Sequence, residues 1–366
     1  MLLLLWVFSH PHLTTLFNKK PYLADRVMSD FEKNKPYHYT RWYLLLHFFS
    51  MKGNKIQSLI ELIRKIINKL KNRFQVTQSN IPSPINKPKP GITIVSACMN
   101  RNENLHKSLT SWLLLDVQEI IIVDWSSETP VSETLKGIND PRIKVIRIDS
   151  EKYWVLTYAF NIGLQSATFE KIYKLDADIQ VSTDFLTVNS FKEGEYIRGF
   201  WRDALDVDQA DQVYLNGSFG AFKKDLKRIG FYNEYIRTYG YDDSDLYLRL
   251  NHEKLSAKYL ALGSVIHFEQ TQEQRTHHQD TSRTRLFDWH YATDFYIVFN
   301  RYLSVLLPKW CAQPLQSYEE LSHDAEILKL KRTSSDLPIA HHFIDTSNRY
   351  AVIALGIFSS TSDNVV

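Results

Sequence analysis

Apolar and amphipathic segments alternate along the middle of the chain. Short continuous runs of β-branched and other apolar residues are typical of strands that are buried on both faces. These runs occupy 92–97, 119–125, 144–148 and 171–179. Segments with the spacing of helices lie among them, at 104–115 and 156–167. The alternation predicts an α/β fold with a Rossmann-like, mostly parallel sheet flanked by helices.

The first 90 residues have a different pattern. Isoleucine and leucine side chains at helical spacing predict an amphipathic helix at 56–74, and Lys and Arg occupy its other face. Such a helix can lie on an anionic membrane surface as a peripheral contact. Alternatively, it packs against the main domain and its lysines are simply solvated. Both interpretations stay open.

Four prolines at 79–91 favour an extended spacer and mark a domain boundary. We therefore expect a basic, helix-containing extension at 1–78 and a Pro-rich linker at 79–91. The main domain is predicted at 92–310 and a carboxyl-terminal extension at 311–366.

Charge and cysteine content narrow the classes of function. Residues 1–90 carry 15 of the 44 Lys and Arg but only 4 of the 41 Asp and Glu, so the remainder is acidic. An acidic body argues against a nucleic-acid partner. Cys98 and Cys311 are the only cysteines, which gives no disulfide framework or cysteine zinc site and fits a reducing compartment. No apolar run approaches the roughly 18 residues of a membrane span, so we expect a cytoplasmic protein.

Acidic residues stand at the ends of two predicted strands. Asp124 closes the run at 119–125, and Asp176 and Asp178 come at the end of the run at 171–179. In parallel sheets ligands bind beyond the carboxyl ends of the strands. We expect these carboxylates to face one crevice, although Asp-x-Asp alone also fits a solvated turn.

Several segments in this order carry a family resemblance. They are "SACMNRNENL" (96–105), "IIIVDWSS" (120–127), "AFNIGLQSATFEKIYKLDADI" (159–179), "NGSFGAFKKDLKRIGFYNEYIRTYGYDDSDLYLRL" (216–250) and "SVIHFEQ" (264–270). Together they resemble family 2 glycosyltransferases of the GT-A fold. The last two segments look like the carboxyl-terminal region shared with β-1,4-galactosyltransferases and chondroitin-polymerase-type enzymes. The resemblance covers roughly 91–270.

The resemblance implies a metal-dependent inverting transferase that moves a sugar from a UDP-sugar of the Gal, GalNAc or GlcNAc type. Asp178 and His267 would bind Mn²⁺ or Mg²⁺, and Asp176 would contact the donor. A hard cation held by carboxylate oxygens can neutralise a departing diphosphate. Asp124 matches the acid that binds the uracil ring, although it could instead cap a helix. Further donor or nucleotide contacts are implied at Ala97, Glu103 and Asn161.

The acceptor side is implied by "GYDDSD". Asp243 matches the general base that takes a proton from the acceptor hydroxyl, and Asp242 precedes it as an acceptor contact. The same acids also suit the first turn of a helix, where the helix dipole favours negative charge. Trp201 offers an aromatic face for the sugar of a glycan or other carbohydrate acceptor, unless it is plain core.

Two alternative functions stay open. A non-catalytic protein of the same fold could bind nucleotide sugars or glycans, but it would not need the base at Asp243. A sugar nucleotidyltransferase would need a Gly-rich loop after the first strand, and "SACMNRNENL" contains no glycine.

Overall fold

In the computed structural model of this chain, the described residues are 88–199, 215–268, 297, 300, 301, 304, 314–324 and 326–336. They belong to one unit of the chain, Val76–Ile339. The helix predicted at 56–74 and the acceptor platform predicted at Trp201 lie outside the described residues.

Nine strands of the described part form one sheet, in the order β10-β11-β3-β2-β1-β4-β7-β6-β8. Strands β5 and β9 form a separate antiparallel pair. The strand bounds are β1 Lys89–Cys98, β2 Glu119–Trp125, β3 Ile143–Asp149, β4 Phe169–Lys174, β5 Ile179–Val181, β6 Glu195–Arg198, β7 Phe219–Phe222, β8 Ser256–Tyr259, β9 Val265–His267, β10 Tyr318–Asp324 and β11 Ile327–Arg332.

Helices cover both faces of this sheet. Their bounds are α1 Asn102–Trp112, α2 Val131–Thr134, α3 Leu156–Ser166, α4 Phe185–Val188, α5 Lys223–Ile229 and α6 Asp242–His252. Alternate residues of β1 contribute to different cores: Val95 packs in the core that contains α3, and Ile94 packs in the core that contains α1. Helix α3 lies so close to the sheet that a Cβ at Gly163 would come within 2.6 Å of Val95 Cγ1.

The centre of the sheet is parallel. Strands β11, β3, β2, β1 and β4 all run in one direction, and β7 is antiparallel to both β4 and β6. The predicted fold class, an α/β fold with a mostly parallel sheet flanked by helices, is confirmed.

One predicted strand is wrong in its extent. The run at 171–179 is not a single strand, because β4 ends at Lys174 and the chain turns before β5 begins at Ile179. The turn is closed by the amide of Ile179, which donates to the carbonyl of Asp176 over 3.1 Å. Asp176 and Asp178 therefore lie in a turn beyond the carboxyl end of the central strand β4.

The sheet extends into the carboxyl-terminal part of the chain. Strand β11 pairs in parallel with β3, and β10 pairs with the outer edge of β11. Two strands, at 318–324 and 327–332, thus join the main sheet from within the segment expected as an extension from residue 311 onward, and the domain boundaries stay predictions. In the part of the chain that the structure describes, no helix is both long and apolar enough to cross a membrane.

Candidate active site

The short strand pair β5–β9 brings His267 to the turn after β4. Ile179 pairs with His267 across this ladder, and the amide of Phe268 donates to the carbonyl of Asp178. His267 Nε2 consequently lies 3.6 Å from Asp178 Oδ2. Arg101, from the loop after β1, brings Nη1 to 3.7 Å from the same oxygen. Burial raises the pKa of Asp178, but His267 and Arg101 outweigh it and hold that pKa below its ordinary value.

This geometry is compatible with a cation between Asp178 and His267. Two ligands of one cation, each at about 2.1 Å, can lie up to about 4.2 Å apart, and the two atoms here are 3.6 Å apart. A mixed oxygen and nitrogen pair suits Mn²⁺ better than Mg²⁺. Among the described residues, no group of three or more His, Cys, Asp or Glu side chains converges to hold a metal ion. Most ligands would thus have to come from the substrate or water.

A second acidic group begins helix α6. The helix starts at Asp242, directly after Tyr241, whose φ of 66° puts a bulky residue in the left-handed region. Asp242 Oδ1 accepts a hydrogen bond from the amide of Asp243, and Tyr232 donates its hydroxyl to Asp243 Oδ1 over 2.6 Å. Both carboxyl groups are buried.

Burial raises the pKa of both of these acids. It raises the pKa of Asp242 well above the ordinary value, and the neighbouring charge of Asp243 adds to this effect. Burial also raises the pKa of Asp243, where the charge of Lys174 offsets part of the increase. Strongly shifted carboxyls in a polar cluster are typical of sites that handle protons.

The third acid of this motif has a structural role. Asp245 is fully buried, and its Oδ2 accepts a hydrogen bond from Arg249 Nε at 2.8 Å and lies 2.7 Å from Arg249 Nη2 in an ion pair. Arg249 also donates to the carbonyls of Ile229 and Phe231. The pair thus fixes α6 to the loop after α5.

Lys174, which sequence reasoning missed, joins the two acidic groups. It is the last residue of β4, and its side chain is 0% exposed. Its Nζ donates to Asp176 Oδ1 over 2.6 Å and lies 3.9 Å from Asp243 Oδ1. The available signal was a lysine between the apolar residues Tyr173 and Leu175, two positions before the first of the paired aspartates.

The predicted uracil contact, Asp124, lies at the carboxyl end of β2 and is buried. Its oxygens accept hydrogen bonds from the amides of Ser127 and Val131 and from Arg147 Nη1 at 2.6 Å. The amide of Val131 is the first of helix α2, so the capping alternative describes what this carboxylate does in the structure. Ala97 pairs with the residue before Asp124 in the sheet.

Two other predicted donor contacts have different surroundings. The side chain of Glu103 is 82% exposed and pairs with Lys107, one turn along α1. Asn161 is buried in α3, where its amide group donates to Glu234 and the carbonyl of Tyr232 and its oxygen accepts from the amide of Tyr232. These protein contacts do not favour the donor roles expected of Glu103 and Asn161, which stay predictions.

Comparison with known proteins identifies the class. Residues 93–206, about a third of the chain, match the family model described as "Glycosyl transferase family 2". That segment runs from β1 through the turn with the paired aspartates to beyond β6. The chain therefore contains a family 2 glycosyltransferase segment, and the protein is a transferase. None of the curated proteins compared with it matches in sequence.

Solved structures give distant likenesses. A mannosyltransferase from Pyrobaculum calidifontis, in complex with GDP-Man and Mn²⁺, is 12% identical, with a TM-score of 0.45, over 84% of this chain and 85% of its own. Glucosyl-3-phosphoglycerate synthase from Mycobacterium tuberculosis is 15% identical, with a TM-score of 0.40, over 65% and 88%. The catalytic domain of Drosophila β1,4-galactosyltransferase 7 is 11% identical, with a TM-score of 0.41, over 67% and 94%.

Proposed function

We propose that this protein is a metal-dependent inverting glycosyltransferase that moves a sugar from a UDP-sugar to a hydroxyl group of a glycan. One observation carries the proposal. Asp178 and His267, a pair suited to a cation, come together in the turn after β4, and the buried acid Asp243 lies 3.9 Å from Lys174 at the end of the same strand. Asp176 and Lys174 connect the two groups.

On the donor side, Asp178 and His267 would hold Mn²⁺, or Mg²⁺ in its place. When bound, the cation neutralises the charge that develops on the departing diphosphate. Asp176 contacts the donor, since its side chain is 33% exposed beside this pair. Asp124, at the carboxyl end of β2 and paired with Arg147, contacts the uracil base of the donor.

On the acceptor side, Asp243 is the general base. The acceptor oxygen attacks the anomeric carbon, the bond from that carbon to the phosphate oxygen breaks, and the hydroxyl proton passes to Asp243. A raised pKa makes this carboxylate a stronger base, provided that it is ionised when the acceptor binds. Asp242 orients Asp243 through its hydrogen bond to the Asp243 amide and contacts the acceptor. A single displacement inverts the anomeric centre.

Several finer assignments belong to the same proposal. The donor sugar is of the Gal, GalNAc or GlcNAc type, and segment 216–270 serves as the galactosyltransferase- and chondroitin-polymerase-like region that binds the acceptor. Trp201 provides a platform for the acceptor sugar. The enzyme acts in polysaccharide synthesis in the cytoplasm and contacts the membrane peripherally through 56–74.

The test is release of UDP from a panel of UDP-sugars, with oligosaccharide acceptors and with Mn²⁺, Mg²⁺ or EDTA. We expect turnover with a divalent cation and none in EDTA. Asp243→Asn should lower kcat by about 10²–10⁴-fold and leave UDP binding intact. Asp184→Asn, which changes an exposed acid elsewhere on the same domain, is the matched control. Full turnover in EDTA contradicts the metal role, and tight donor binding without turnover on any acceptor favours the non-catalytic alternative.

A further inference from the structure

Lys174 is a fully buried cation in the centre of the sheet. It lies between β1 and β7, paired with Val95 on one side and Phe219 on the other. An ammonium group is retained in such a place only where it is paired and hydrogen-bonded, because desolvation of an isolated charge is very unfavourable. The surroundings of Lys174 must therefore be specific.

The partners of Lys174 come from distant parts of the chain. Its Nζ donates to Asp176 Oδ1 at 2.6 Å and to the carbonyl of Gly217 at 2.7 Å. The ammonium lies 4.2 Å from the ring centre of Phe160 in α3 and 3.9 Å from Asp243 Oδ1 in α6. One side chain thus links the turn after β4, the short turn before β7, α3 and the first turn of α6.

The contact at Gly217 controls how Asp176 can lie. A Cβ at Gly217 would come within 2.4 Å of Asp176 Oδ2 and 3.3 Å of Lys174 Nζ. Only glycine leaves room for the carboxylate there. Lys174 donates a hydrogen bond to Asp176 Oδ1, and this fixes the direction of Asp176 Oδ2 beyond the carboxyl end of β4.

The positive charge of Lys174 lies among three acidic side chains, those of Asp176, Asp242 and Asp243. The titratable groups facing Asp243 are Lys174 and Asp176 from the end of β4, Tyr232 from the loop after α5, and Asp242 and Tyr247 from α6. Of these, Lys174 alone is a cation. Burial alone would lower the pKa of Lys174, but Asp176 and Asp243 more than offset this and hold it above its ordinary value. The neighbouring carboxylates therefore favour the charged form of Lys174.

We propose that Lys174 is a positioning residue for sugar transfer, which fixes the direction of the Asp176 carboxylate and keeps Asp243 ionised so that it can accept the acceptor proton. The inference rests on the proposed function of this site. It adds a cation that no substrate touches and on which both halves of the reaction depend.

The test compares Lys174→Met with Lys171→Met, a lysine on the same strand that lies over the rings of Phe191 and Phe222 and is partly exposed. In Lys174→Met we expect kcat to fall by at least tenfold at neutral pH. Without the cation Asp243 binds its proton more tightly, so the acidic limb of the kcat profile should move up by at least one pH unit. Lys171→Met should leave that limb in place. A fall in kcat by the same factor at every pH overturns the inference, because loss of packing alone has no such pH dependence.

Melting temperatures from pH 5 to pH 8 give a readout that does not need turnover. The difference between wild type and Lys174→Met should grow as the pH rises, since the buried acids ionise without their counter-charge in the variant. A constant difference overturns the inference even if the wild type releases no UDP with any donor, whereas that lack of release bears on the proposed function only.

Gly217→Ala is the second variant, and it tests the positioning of Asp176 even if Lys174→Met does not fold. Its methyl group should displace Asp176 while the charge of Lys174 is kept. We expect a higher KM for the donor, by at least threefold, and an unchanged acidic limb. An unchanged donor KM contradicts the positioning of Asp176.

Discussion

Two acids at the start of α6, Asp243 and Asp245, should have opposite effects on stability and activity when each is changed to asparagine. Asp245→Asn breaks a fully buried ion pair and leaves the guanidinium of Arg249 with only carbonyl partners. Removing one partner of a buried pair destabilises by about 3–5 kcal/mol. At roughly 2–4 °C per kcal/mol for a domain of this size, we expect the melting temperature to fall by roughly 6–20 °C.

Asp243→Asn should behave in the opposite way. Because its folded pKa is raised, the native protein binds more protons than the unfolded chain, and stability falls as pH rises from the unfolded to the folded pKa. A neutral amide removes that effect, and its oxygen can still accept the Tyr232 hydroxyl. We expect equal or higher stability at neutral pH, together with the loss of turnover expected for a missing base.

The assay is urea unfolding at pH 7 paired with UDP release for both variants, with Asp184→Asn as the surface control. Asp245→Asn should keep much of its turnover per folded molecule at low temperature. If instead Asp245→Asn is as stable as wild type and inactive, or Asp243→Asn is active, the assignment of structural and catalytic acids within α6 is refuted.

Three further changes test the frame around the site. Glu119→Gln should lower the free energy of unfolding by about 1.5–3 kcal/mol at neutral pH. Burial raises the pKa of Glu119, but its hydrogen bonds, the largest from Lys144, outweigh burial and hold that pKa below the ordinary 4.5. The difference in unfolding free energy between wild type and Glu119→Gln should disappear as the pH falls below 4.5 and through the lowered pKa of the folded state. Urea unfolding at several pH values measures this difference. Gly163→Ala should destabilise by about 1–3 kcal/mol through overpacking against β1, as thermal unfolding would show. Glu234→Ala should speed proteolysis at 314–317, since Glu234 accepts the amides of Leu315 and Gln316.

Much of the fold follows from the sequence because its central strands are continuous apolar runs. β2 begins and ends where that pattern predicts, and α3 agrees to within a residue. The run at 171–179 misled because Leu175, Ala177 and Ile179 are buried although the backbone turns there. A turn that buries every second residue has the same alternation of apolar and polar residues as a strand, so the sequence pattern does not distinguish the two.

The acids at 176, 178, 242 and 243 and His267 were assigned roles through the family resemblance, and these roles stay predictions. The structure places Asp178 beside His267, and Lys174 beside both Asp176 and Asp243. Lys174 was missed because its partners, Gly217 and Asp243, are far away in sequence. Asn161 and Glu103 were placed by family pattern, and their observed partners, Glu234 and Lys107, depend on local packing that spacing does not encode.

The pairing of β11 with β3 has a consequence for how this protein is made. Arg332, the last residue of β11, binds Glu151 just after β3 across 181 positions of sequence. During synthesis the outer edge of β3 therefore stays unpaired, with its amides and carbonyls exposed, until residues 327–332 have been made. Exposed strand edges invite pairing with other chains. Fragments that end before residue 327 should accordingly aggregate, even though they contain all the residues described above for the candidate site.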